Sequence, residues 1–170
     1  MRYLNLLLSA TVITVACAFT SDSHLTISSN GIRNGSLSAK YSCDGAGINP
    51  PLLVTDIPAA ARSLAVIAQD PDAPVAGGFT HWVAWNLSTD GVIQEGMTGG
   101  DQGTNGAGHV GFAAACPPVG SGDHHYHFTV YALDTRLTLP ASTDKAALEH
   151  AMEGHIVGTG ELVGVFAKTE

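Results

Sequence analysis

The chain has 170 residues, 45% of them apolar and only 13% charged, a composition that packs a globular core and excludes a disordered chain. Its formal net charge is −8 with only seven Lys and Arg, so it lacks the clustered basic residues that polyanionic nucleic acid requires. That length suits one domain burying roughly two-thirds of its unfolded surface.

Residues 1–18 read as an export signal. Arg2 gives a minimal positive start, Leu4 through Ala16 carries no charge, and Ala16-Cys17-Ala18 fits an A-x-A cleavage site. The stretch is too short to span a bilayer comfortably. Val15-Ala16-Cys17 also resembles a lipobox, in which the signal ends at Ala16 and Cys17 becomes the lipidated first residue, although Thr14 stands where such motifs usually carry Leu. The expectation is therefore a periplasmic or secreted protein whose single domain occupies 19–170, meeting a membrane only if Cys17 is lipidated; an N-terminal helix that stays on the protein is the remaining alternative. Beyond the signal, Cys43 and Cys116 remain. In an oxidising compartment two such thiols favour a bridge closing a long loop, against the alternative of two separate buried thiols.

Short apolar segments then recur between Gly, Pro, Asn and Asp clusters: Leu25–Ser28, Ser63–Ala68, Trp82–Leu87, His109–Ala113, His127–Leu133 and Leu162–Phe166. This spacing predicts a mainly β, sandwich-like core. The Gly, Asn, Asp and Thr of Gly96–Gly108 predict a long surface loop. The clearest helix is Ser142–Glu153, near the C-terminus, capped by Ser142 or Thr143 and ended by Gly154.

Two clusters carry candidate chemistry. Asp70-Pro71-Asp72-Ala73-Pro74 closes the apolar run Leu64–Ala68, and its prolines preset a loop that offers both carboxylates at a strand end. In Asp123-His124-His125-Tyr126-His127, strand alternation places His124, Tyr126 and Phe128 on one face and His125, His127 and Thr129 on the other. His125 and His127 lack an evident third ligand, so no metal is expected, and the absence of C-x-x-C gives zinc little support. Gly106-Ala107-Gly108-His109-Val110-Gly111 matches G-x-G-x-x-G in letters only, because two prolines follow where a helix should open. No cofactor is expected.

Taken in order, Tyr41-Ser42-Cys43-Asp44-Gly45, Asn49-Pro50-Pro51-Leu52, Asp70-Pro71-Asp72-Ala73-Pro74, His81-Trp82, Gly111-Phe112 through Cys116-Pro117-Pro118-Val119-Gly120, and His124-His125-Tyr126 leading to Val130–Asp134 resemble the phosphatidylethanolamine-binding protein family, in its bacterial Raf-kinase-inhibitor-like branch. The match runs over about residues 24 to 168. The resemblance implies an antiparallel, Greek-key-like β-sandwich with one or two short helices. It also implies a small pocket for a small anionic ligand, a phosphate or phospholipid head group, or a phosphorylated protein partner. Carried over by motif, the ligand-binding residues are Asp70, Asp72, Pro74, His81, Pro117, Pro118, His124 and Tyr126. Two departures stand out: Gly111-Phe112-Ala113-Ala114-Ala115 replaces the family's Gly-Tyr-x-Gly-Pro, and His125 replaces an Arg.

Two carboxylates repel a phosphate. The residues therefore predict a division of labour in which His81, His124 and the Tyr126 hydroxyl meet the anion while Asp70 or Asp72 accepts an imidazole N–H. The expected role is a non-catalytic binding protein. A hydrolase using His81 or His124 as general base beside Asp70 or Asp72 is the alternative; it lacks an evident nucleophile. A disulfide-braced structural protein of the envelope is a third.

Overall fold

A computed structural model describes residues 23–168, so the expected export signal and the lipidation candidate Cys17 lie outside the described residues. The longest apolar runs of the sequence become its central strands. Elements follow in chain order as β1 Ser23–His24, β2 Thr26–Ser28, β3 Ile32–Arg33, β4 Ser36–Leu37, a 3-10 turn Ala39–Tyr41, β5 Leu52–Thr55, β6 Ser63–Asp70 and β7 Phe79–Leu87. They continue with β8 Val92–Ile93, β9 Asp101–Gln102, β10 His124–Leu133, α1 Lys145–Met152 and β11 Ile156–Phe166. One sheet runs β3-β4-β11-β10-β6-β7-β9 with β1 beside β11, and a smaller sheet runs β2-β5-β8. The long pairings are antiparallel; β1 and β4 each join β11 in parallel. The mainly β sandwich expected from the sequence is the fold observed.

Alternation explains the layers. Leu64, Val66 and Ala68 of β6, Trp82 and Ala84 of β7, and Phe128, Val130 and Ala132 of β10 face the smaller sheet, where Leu52, Val54 and Ile93 meet them. Ala65, Ile67, Val83 and Trp85 point the other way, onto Leu148 and Met152 of α1. Strands covered on both faces need no polar side, so the continuous apolar run of β6 is what a central strand requires. Burying each such side chain contributes roughly 1.5–3 kcal/mol relative to exposure.

Three expectations are corrected. His109–Ala113 forms no strand: Gly108 and Gly111 take positive φ (82° and 100°) that breaks a pleat, and Val110 makes only an isolated bridge to Thr104. Gly96–Gly108 is not simply a surface loop, since it contains β9 and buries Gln102 and Asn105. Gln102 accepts from Trp82 Nε1 (2.8 Å), and Gly103 packs so close to the Thr143 carbonyl that a Cβ would collide with it. The helix cap is Asp144, whose carboxylate accepts from the Ala147 amide at 2.9 Å, one residue beyond Thr143. Thr143 is instead buried, and its carbonyl accepts from the Thr104 amide.

Cys43 and Cys116 form a disulfide across a sequence separation of 73, with Cα atoms 5.3 Å apart. The bridge ties the 3-10 turn region to the segment that carries Pro117 and Pro118.

Candidate functional site

Three strand ends meet at one place. β6 ends at Asp70, β7 begins at its cross-strand partner Phe79, and β10 begins at His124, just before its paired stretch with β6. Here the sheet stops and the loops 71–78 and 113–123 take over, leaving a cavity of about 250 Å³. Its polar lining is Asp70, His81, His124 and Tyr126; its walls are apolar, from Pro74, Val75 and Phe79 on one side and Ala113, Ala114, Pro117 and Pro118 on the other. Among the described residues no Lys or Arg lines it.

Seven of the eight residues expected in the pocket therefore converge. Asp72 does not. Its carboxylate accepts from the His125 amide and from His125 Nδ1, both at 2.8 Å, and stays half-exposed outside the cavity. Those bonds from His125 hold the Asp72 carboxyl below its usual range. The reason is local. Asp70 Oδ1 accepts the Asp72 amide at 2.9 Å, an Asx-type turn that rotates the second carboxylate away from the first. The His125 that replaces the family's Arg points out with it, so this departure removes no cation from the cavity.

Asp70 is buried, and both its oxygens are engaged, Oδ1 by the Asp72 amide and Oδ2 by His124 Nδ1 at 2.8 Å. His124 is equally buried, and its Nε2 lies 3.0 Å from Ser121 Oγ. Both imidazole nitrogens of His124 thus have protein partners. It stands in the cavity wall with its ring held at both ends.

Two polar groups of the cavity lining retain hydrogen-bonding capacity without a partner among the described residues. His81 Nδ1 donates to the Ala113 carbonyl (2.8 Å), which leaves Nε2 as a lone pair with no partner among the described residues. Burial pushes the His81 pKa below its ordinary value, so the neutral ring is favoured near neutrality. The second group is the Tyr126 hydroxyl, which is buried and has no hydrogen-bond partner among the described residues. Burial, reinforced by the Asp70 and Asp72 charges, raises its pKa and keeps it a donor. The His81 and Tyr126 rings touch edge to face, with centroids 5.1 Å apart, and the Phe79 ring meets His81 edge to face as well, at 4.7 Å.

Sequence reasoning missed Phe79, although it stands two residues before His81, on the same face of a strand by alternation. It also missed Ser121, three residues before His124 in a glycine-flanked turn. Of the outward pair, His125 is held by Asp72 and His127 by Glu161 (3.1 Å), and no group of three metal-ligating side chains occurs among the described residues.

The family model described as phosphatidylethanolamine-binding protein matches residues 27–167. A UPF0098 protein of Pyrococcus abyssi is 43% identical over 178 aligned positions, covering 99% of either chain. Among solved structures, a phosphatidylethanolamine-binding protein homologue from Chlamydia trachomatis superposes with a TM-score of 0.79 at 38% identity, covering 86% of this chain and 99% of that one. YbcL of E. coli, described as a member of the mammalian PEBP family, gives 0.77 at 29% identity, covering 85% and 99%.

Proposed function

The chain belongs to the phosphatidylethanolamine-binding protein family, and from that membership and the cavity we propose that it binds small phosphate-bearing ligands. The observation that carries this reading is the buried, unpartnered Tyr126 hydroxyl beside the free Nε2 of His81. A buried donor without an acceptor costs stability. A ligand oxygen that accepts from Tyr126 recovers that cost, and a second oxygen sits against His81. Because Nε2 is unprotonated, an anion there brings a proton with it or draws one from solvent. Affinity for phosphate groups therefore rises as pH falls. Asp70, with both oxygens occupied, sets the His124 ring and does not confront the anion directly.

Size sets the ligand class. A cavity of about 250 Å³ takes a phosphate with a short substituent, such as a phospholipid head group, and leaves acyl chains outside. The proline, valine and phenylalanine walls suit an apolar substituent next to the phosphate. Neither His81 nor Tyr126 is hydrogen-bonded to a hydroxyl, thiol or amine among the described residues, so binding rather than phosphoryl transfer is the role proposed. Export fits the same picture, since the Cys43–Cys116 disulfide is compatible with an extracellular location and no described helix is long and apolar enough to cross a membrane.

Thermal unfolding against inorganic phosphate, phosphoethanolamine and phosphotyrosine tests the proposal. A saturable rise in midpoint with at least one of them, absent in His81→Ala, is expected. No shift with any of the three, from a folded protein, overturns it.

A further inference from the structure

Beside the cavity lies a second arrangement that phosphate binding does not use. Ser121 Oγ is 3.0 Å from His124 Nε2, and His124 Nδ1 is 2.8 Å from Asp70 Oδ2. The same atoms of Ser, His and Asp are joined in the same order in serine hydrolases of unrelated folds. Burial differs along the chain of three as that chemistry requires. The Asp70 and His124 side chains are 4% exposed each, whereas Ser121 is exposed to solvent.

The proton positions follow from the partners. Where Asp70 accepts from Nδ1, that nitrogen carries the hydrogen, and the corresponding neutral tautomer presents a lone pair at Nε2. Ser121 Oγ lies within reach of that lone pair and of the Pro118 carbonyl (2.8 Å). The carbonyl also accepts the Ser121 amide at 3.1 Å, so it keeps a partner when the hydroxyl turns to His124. The backbone presents the serine sharply. Gly120 and Gly122 flank it at φ of 74° and 90°, and a Cβ built on either would meet nothing within 4 Å. A substrate can therefore approach from both sides of the turn.

We propose that Ser121 is a nucleophile, activated by His124 and oriented through Asp70, that is acylated by carboxylic esters whose short acyl group enters the apolar half of the cavity. Oγ bonds to the ester carbonyl carbon, and its proton passes to Nε2. As the carbon–oxygen bond to the alcohol breaks, that proton leaves with the alcohol. Water, deprotonated by the same nitrogen, then releases the acid and restores Ser121. Ser121 and His124 are the catalytic residues here, and Asp70 is a positioning residue.

The test uses the full chain with two probes, an alkyl fluorophosphonate and p-nitrophenyl acetate. The fluorophosphonate forms an Oγ–P bond and expels fluoride, and peptide mass spectrometry should place the adduct on Ser121. The acetate should release p-nitrophenol with transient acetylation of the same residue. Ser121→Ala removes the adduct at an exposed position, and His124→Gln should slow its formation by about 100-fold or more. A wild-type chain that leaves Ser121 unmodified by either probe overturns the proposal, whatever the variants do. Labelling of a folded His124→Gln at the wild-type rate overturns it equally. Neither result bears on the phosphate reading, which is measured without these reagents.

Discussion

Tyr126→Phe removes one oxygen atom and should move stability and binding in opposite directions. Tyr126 is 2% exposed, its hydroxyl is buried, and no donor or acceptor among the described residues reaches it. An orphaned polar group of this kind costs about 1–3 kcal/mol of desolvation that no hydrogen bond returns. Phenylalanine keeps the ring, and with it the edge-to-face contact with His81, while shedding that cost. After a small loss of packing where the oxygen was, a net gain on the order of 1 kcal/mol remains, or about 2–4 °C in midpoint for a domain of this size. A hydrogen bond to a charged phosphate oxygen is worth about 1.5–3 kcal/mol, so the same substitution should weaken phosphate binding by roughly 10- to 100-fold. The assay is urea and thermal unfolding of both proteins without phosphate, followed by titration with it. If Tyr126→Phe is less stable than the parent by about 1 kcal/mol or more, the hydroxyl has a partner in the fold and the reasoning fails. Unchanged phosphate affinity refutes the second half independently.

Three further outcomes follow from the same geometry. Replacing Cys43 and Cys116 together by Ala should cost about 4 kcal/mol on the chain-entropy model for a loop of this length, and denaturant unfolding of the oxidised parent against the double variant measures it. Because burial lowers the His81 pKa below 6.5, the unfolded chain binds a proton there that the folded chain resists. Stability should therefore fall as pH drops through the unfolded value toward the folded one, and His81→Gln should lose that part of the slope in unfolding curves taken across the range. Asp70→Ala strands the buried His124 Nδ1 and should cost on the order of 3 kcal/mol, read by urea unfolding, with a loss far below 1 kcal/mol counting against a coupled pair.

Much of this architecture is legible in the chain because the strongest signals are physical ones. Ser63–Ala68 and Trp82–Leu87 are continuous apolar runs since β6 and β7 are covered on both faces, and the alternation of His124, Tyr126 and Phe128 against His125 and His127 reads directly as an inner and an outer face. The two-residue strands β3, β4, β8 and β9 leave no periodicity to read; they exist because a neighbouring strand offers a partner. At the site, the prolines announce a preset loop, but only the bond from the Asp72 amide to Asp70 decides that one carboxylate faces in and the other out. His109–Ala113 has strand-like composition and loses it to two glycines whose positive φ becomes evident only in the folded backbone. Ser121 carries no local motif of reactivity. Its significance arises from long-range pairing that brings β6 beside β10, across a sequence separation of 54 between Asp70 and His124.

The measurement that bears most directly on the central claim is calorimetric titration of phosphoethanolamine at about pH 8, where its phosphate has lost both protons, in two buffers of different ionisation enthalpy. With Nδ1 of His81 committed to Ala113 and Nε2 bare, binding should be saturable and should take up close to one proton per ligand, and His81→Ala should abolish the uptake. Saturable binding with no proton uptake contradicts the role assigned to His81, and no binding at all contradicts the phosphate site itself.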